Sequence, residues 1–228
     1  DLDRNLITRI IFRLLPKKGT SNTKERIELL QRKFESIRIL KHGRNAASTY
    51  TTFKMSGDFT ECKAWFEVQG QNNGLAIFLL DTATFGTAFD SVKTNAVQLR
   101  TNSKIVFATN AVQNANVGIS VPAGQTAYFG TRTYSASGNC KGSVQYDYPD
   151  HDLLLPVFGS GTFTKEDDGR ITLKNDWSGF HGTIAIQGGS LVLTDDMTAS
   201  SDMRIVVKAG GVLETERTDG TYDGLDVT

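Results

Sequence analysis

Two kinds of hydrophobic periodicity divide the chain. In residues 5 to 15, Leu6, Ile10 and Leu14 recur every four residues with Ile7 and Ile11 beside them, and Pro16 and Gly19 end the run, which predicts a helix. A second helix is predicted from Asn22: Glu25 three positions on fits a capping box, and Ile27, Leu30, Phe34 and Ile37 mark one apolar face. From Tyr50 the period falls to two. Thr51, Phe53 and Met55, then Ala64, Phe66 and Val68, alternate with polar neighbours, and Leu75 to Leu80 is a continuous apolar run suited to a strand buried on both faces.

Beyond residue 98 the alternation repeats. Ile119-Ser-Val121-Pro-Ala-Gly124, Ile184-Ala-Ile186-Gln-Gly-Gly189 and Ile205-Val-Val207-Lys-Ala-Gly210 superimpose; the second and third lie 21 residues apart, the first and second 65. Gly161-Thr-Phe-Thr precedes Gly182-Thr-Ile-Ala by the same 21, and Gly142-Ser-Val-Gln precedes Gly161 by 19. A step of this size suits coils that return the chain one strand spacing higher, roughly 4.8 Å up an axis. An antiparallel sandwich would recur at roughly 8 to 12 residues without a superperiod. The expected fold is therefore mainly β: a parallel β-helix, a solenoid of about 21 residues per coil, capped by the N-terminal amphipathic helices. Its expected parts are a basic helical cap or docking segment (1–45), an irregular β-rich region (46–97) and the solenoid (98–228). Ile119, Ile184 and Ile205 are expected in one inward column, with Gly124, Gly189 and Gly210 at corners where glycine accepts positive φ.

Charge modifies this only locally. The net charge is zero, but residues 1 to 45 carry twelve Lys and Arg against five Asp and Glu. A basic segment suits nucleic acid or an anionic membrane, yet its two aromatics, Phe12 and Phe34, are too few to interleave these charges as a single-strand binder requires, so they read as a solvated face; no nucleic-acid partner is expected. No run reaches the roughly 18 apolar residues of a membrane span. Cys62 and Cys140 lack metal-ligand spacing, and pairing and two separate thiols both fit the count. A chain opening at Asp1 and stopping at Thr228 within a Gly-rich polar pattern reads as part of a longer polypeptide.

Candidate chemistry does not converge. His42, His151 and His181 stand in unrelated settings without metal-type pairing, and His181 beside Gly182 reads as a turn residue. Ser160 between two glycines lacks the spacing and strand-to-helix context of a nucleophile elbow. Carboxylates gather at Glu166, Asp167 and Asp168, at Asp195 and Asp196, and at Asp147, Asp150 and Asp152. Such acids can hold Ca²⁺ or a sugar ring on an outer wall, but the first two groups are not a whole number of coils apart and would not stack. Trp65, Tyr128, Tyr134, Tyr146, Tyr148 and Trp177 offer stacking faces if exposed, with packing the preferred role for Trp177. No catalytic, cofactor or metal residue is assigned.

The stretch Gly159-Ser-Gly-Thr-Phe-Thr-Lys165, Gly169-Arg-Ile-Thr-Leu173, Asn175-Asp-Trp-Ser-Gly179, Gly182-Thr-Ile-Ala-Ile186 and Gly188-Gly-Ser-Leu-Val-Leu193 resembles the autotransporter-associated β-strand repeat. The match covers about 35 residues well and the coil at 203 to 215 weakly; the N-terminal patterns and residues 50 to 90 lie outside it. The resemblance implies a right-handed parallel β-helix in an exported bacterial surface protein, extracellular or cell-surface, serving as a non-enzymatic scaffold or adhesive segment with cell-surface glycans or host or neighbouring-cell proteins as partners. Two alternatives stand: the non-catalytic part of a polysaccharide-degrading or polysaccharide-binding protein, and a basic docking module on a rigid spacer.

Overall fold

The structure, a computed structural model, describes residues 11–13, 36–42, 50–59, 65–71, 75–85, 97–108, 111, 113, 118–131, 150–218 and 226–227. Among them the chain is mainly β, with no helix and eighteen strands. They are β1 (Ile11–Arg13), β2 (Ser36–His42), β3 (Tyr50–Phe59), β4 (Trp65–Gln71), β5 (Leu75–Phe85), β6 (Val97–Leu99), β7 (Ser103–Phe107), β8 (Ile119–Val121) and β9 (Thr126–Gly130). There follow β10 (His151–Leu153), β11 (Val157–Gly159), β12 (Thr162–Lys165), β13 (Arg170–Trp177), β14 (Thr183–Ile186), β15 (Gly189–Ala199), β16 (Arg204–Val207), β17 (Gly211–Thr215) and β18 (Asp226–Val227).

The strands form three parallel sheets. Sheet A runs β1-β2-β4-β6-β8-β11, sheet B runs β3-β5-β7-β9-β12-β14-β16-β18 and sheet C runs β10-β13-β15-β17. Every pairing between strands is parallel. Parallel neighbours need a crossover, and from β2 onward each strand is followed by one of a different sheet.

The alternation read from the sequence becomes stacked columns. In sheet B, Ala76, Ser103, Ala127, Phe163, Ile184 and Ile205 are in register, as are Phe53, Phe78, Ile105, Phe129, Lys165, Ile186 and Val207. In sheet C, Ile171, Leu191 and Leu213 follow one another, as do Leu153, Leu173 and Leu193. Apart from Ser103 and Lys165, these side chains join Phe66, Val97, Ile119 and Val157 of sheet A in one apolar core. Leu75 to Leu80 behaves as expected of a strand buried on both faces: Ala76, Phe78 and Leu80 enter that core, while Ile77 and Leu79 pack with Val106 in a second cluster.

Two expectations are corrected. The helical patterns over 5–15 and 22–37 overlap strands at Ile11–Arg13 and Ser36–His42. There Ile37 and Ile39 pair with Phe66 and Val68, so non-local pairing with β4 wins over the local period, helped by the β preference of isoleucine. The remaining residues of both patterns lie outside the described residues.

The second correction concerns Ile119. Ile184 and Ile205 are register partners in sheet B, but Ile119 lies in sheet A, between Val97 and Val157. The offset of 65 is not three steps of one column. Each wall is a short alternating strand leading into a corner that needs a left-handed residue, so segments on different walls carry the same pattern. The glycines do turn corners, with φ of 71° at Gly124, 59° at Gly189 and 94° at Gly210. Gly124 nevertheless follows a sheet A strand, whereas Gly189 and Gly210 lie at the entry to strands of sheet C. The Gly142 segment lies outside the described residues.

Candidate functional site

The densest arrangement of buried charge is the corner between β12 and β13. Thr162 to Lys165 alternates, and Phe163 and Lys165 take positions that Ile184 and Ile186 occupy one strand on. Lys165 is thus a lysine in an apolar column, fully buried between the register positions of Phe129 and Ile186. Its Nζ donates to the carbonyl oxygens of Asp167 at 2.6 Å and Gly188 at 3.0 Å. Burial pushes its pKa down from 10.5 to about 8; the Asp167 carboxylate works against this, while Lys104 adds to it.

Lys104 approaches the same corner from β7. Almost wholly buried, it donates to Glu166 Oε2 at 3.0 Å and Asp167 Oδ1 at 2.9 Å. Asp167 holds a left-handed φ of 67°. A Cβ on Gly130 would lie 1.9 Å from Asp167 Oδ2, so the carboxylate covers the bare Cα of a residue at the end of β9. The corner therefore ties β7, β9 and β12 together, and Asp167 Oδ2 is buried without a hydrogen-bond partner. Chemically this is a set of fixed counter-charges.

The acids singled out in the sequence go to different places. Glu166 and Asp167 serve this corner, and Asp168 is exposed beside it. Asp195 lies in β15, where it accepts from the Thr218 amide at 3.0 Å. Asp152 pairs with Lys174 at 2.8 Å across sheet C. Among the described residues no group of three His, Cys, Asp or Glu side chains is arranged to hold a metal ion. Asp147 lies outside the described residues, and Asp150 is exposed.

The histidines also separate. His181 meets Ser200 and Asp202, a contact the sequence did not signal. Ser200 Oγ is 2.8 Å from His181 Nδ1, and Asp202 Oδ2 is 3.4 Å from the same nitrogen. A hydroxyl–imidazole–carboxylate relay requires the two partners on opposite ring nitrogens, so this contact cannot pass a proton from serine to aspartate. Ser200 Oγ also accepts from the Asp202 amide at 3.2 Å, so the hydroxyl closes the turn between β15 and β16. His151 instead packs on Phe107, with ring centroids 5.4 Å apart. His42 lies in β2.

Ser160 is exposed in the bend between β11 and β12, and its flanking glycines explain the Gly-Ser-Gly pattern. Gly159 has φ of 99°, and a Cβ there would lie 2.2 Å from the Val121 carbonyl oxygen; one on Gly161 would lie 2.4 Å from that of Pro122. Trp177 is fully buried, edge-on to Phe180 at 6.0 Å, which is the packing role preferred for it. Trp65 and Tyr128 are half-buried; Tyr134, Tyr146, Tyr148, Cys62 and Cys140 lie outside the described residues.

Sequence reasoning passed over Lys104 and Lys165. The signal was available for Lys165, which stands two residues after Phe163 on the inward parity; nothing local marks Lys104, since its partners are more than sixty residues away. Comparisons with protein-family models, with curated proteins and with solved structures return no match.

Proposed function

We propose that the chain is a parallel β-helical segment of an exported bacterial surface protein, acting as a rigid scaffold or adhesive wall rather than as an enzyme. The observation that carries this reading is the register of sheet B, where Thr126, Thr162, Thr183, Arg204 and Asp226 are successive partners. Between these strands the chain visits sheet C, and at Phe180 it touches sheet A through a bridge to Gly159. Winding of that kind produces a stiff stack in which each coil rests on the one before it.

The corner chemistry supports the same reading. Lys104 is held by the Glu166 and Asp167 carboxylates and Lys165 by two backbone carbonyls, so both lysines serve to hold strands together. The resemblance over residues 159 to 193 adds the exported, surface-exposed setting, and it does not depend on Ile119. Cell-surface glycans and proteins of host or neighbouring cells are the proposed partners.

The purified chain tests this by small-angle scattering together with binding to a glycan array and to bacterial and host cells. Rod-like scattering, with or without retention of a glycan or cell, is the expected outcome. A compact scattering envelope, or depolymerisation of any arrayed polysaccharide, overturns the proposal.

A further inference from the structure

Among the described residues sheet C begins at β10, whereas sheets A and B run on to strands from much earlier in the chain. The first strand of a sheet presents backbone groups that need partners. Here a side chain supplies them. Gln113 Nε2 donates to the Asp152 carbonyl oxygen at 2.5 Å, and Gln113 Oε1 accepts from the Leu154 amide at 2.8 Å. These two groups flank Leu153, and they are the pair that one residue of a parallel neighbouring strand would engage. The primary amide of Gln113 stands in for a peptide group.

This pairing fixes the orientation of the amide. Turned over, Gln113 would set NH₂ against the Leu154 N–H and oxygen against the Asp152 carbonyl, two like-to-like contacts. Nε2 is therefore the end that lies 2.8 Å from His151 Nε2. An NH₂ group can only donate, so His151 Nε2 accepts, and the imidazole is neutral with its proton on Nδ1. A proton added at Nε2 would leave two donors facing each other across that distance.

We propose that Gln113 and His151 form a proton-sensitive clasp on the edge of sheet C, closed while His151 Nε2 accepts from the amide and opened when that nitrogen is protonated. The groups around the imidazole fit this role. Phe107 from β7 covers one ring face, and Ile171 of β13 is its register partner. The charged neighbour is Asp152 on the same strand, itself engaged by Lys174. Burial lowers the His151 pKa from 6.5 and the Asp152 carboxylate raises it less, so the neutral form is favoured in the folded chain. With the folded pKa below the unfolded one, the unfolded chain binds more protons between them. Stability is then lost as the pH falls from about 6.5 toward the folded value. The Leu154 amide and the Asp152 carbonyl become available on opening, while the Leu154 carbonyl stays with Asn175 Nδ2 at 2.6 Å.

The test uses nuclear magnetic resonance on the full chain between about pH 5 and 8, following the His151 ring titration and the exchange protection of the Leu154 amide, corrected for intrinsic exchange. In the unsubstituted chain, protection is expected to fall about tenfold in step with the His151 titration. In His151→Phe, which keeps an aromatic ring against Phe107, it stays high throughout. In Gln113→Ala it is low throughout, and the His151 midpoint moves upward because the neutral imidazole has lost its donor. Leu154 protection that does not change across the His151 titration overturns the proposal, as does an unmoved His151 midpoint in Gln113→Ala. The second readout needs only the Gln113 variant, so it decides the matter even where His151→Phe does not fold.

Discussion

The strands from β3 to β9 and those from β10 to β17 share one core but are spaced differently along the chain. In the later region partners are nearly evenly placed: Thr162, Thr183 and Arg204 in sheet B, and His151, Ile171, Leu191 and Leu213 in sheet C, follow one another at close to the step of the sequence repeat. In the earlier region the steps are uneven: long between Phe66 and its partner Val97 and between Ala76 and its partner Ser103, but as short as in the later region between Val97 and its partner Ile119. The inner sheet B column passes through both without interruption. Its members change from Phe53, Phe78, Ile105 and Phe129 to Ile186 and Val207, with Lys165 at the join. Alternation within a strand therefore sets the column, while the connections absorb the variation in step. A longer loop costs only slowly more entropy, so irregular spacing is tolerated provided the strand ends land in register.

Substitutions at the join separate these contributions. The largest effect is expected from Phe129→Ala, which removes a buried ring 4.3 Å from Phe163 and opens a cavity where the aromatic column meets the aliphatic one. A loss of about 3 to 5 kcal/mol in denaturant unfolding is expected. A loss below about 1 kcal/mol would mean that the two regions are not packed as one core.

Next is the titration of Lys165, which the structure holds at about 8 against 10.5 for a free side chain. Between those values the unfolded chain binds more protons, so stability rises with pH across that window, by roughly 3 kcal/mol in all. Lys165→Met abolishes the rise, leaving the Asp167 and Gly188 carbonyls without their donor. Unfolding midpoints measured at about pH 7.5, 9 and 10.5 for both proteins check this. A rise of the same size in the methionine variant would place the titrating group elsewhere.

The smallest of the three effects belongs to Gly159→Ala, where φ is 99° and the new Cβ would strike the Val121 carbonyl. A loss of about 1 to 3 kcal/mol in thermal or denaturant unfolding is expected from the backbone conformation. The same change at Gly124, with φ of 71° but no atom within 4 Å of the added Cβ, should cost less. Equal losses would show that close approach between β8 and β11 contributes nothing at this seam.

Local pattern in the sequence was enough to establish which residues face inward along most strands, where the corners fall, and the even step of the later region. Phe163, Ile184 and Ile205 stack as their spacing requires. A period of two and a left-handed corner follow from backbone geometry and can be read in any window of a few residues. Which wall each strand joins emerged only from the folded chain. Ile119 and Ile184 carry the same pattern on different sheets, because Ile119 pairs with Val97 and Val157 while Ile184 pairs with Phe163 and Ile205. Pairing also decided the strands at Ile11–Arg13 and Ser36–His42 against a helical pattern, since their partners come from other parts of the chain. The candidate polar sites were the least legible. Lys104 meets Asp167, and Gln113 meets His151 and Leu154, across 63, 38 and 41 residues. A hydrogen bond between side chains that far apart exists only after the strands have paired, so no local signal precedes it.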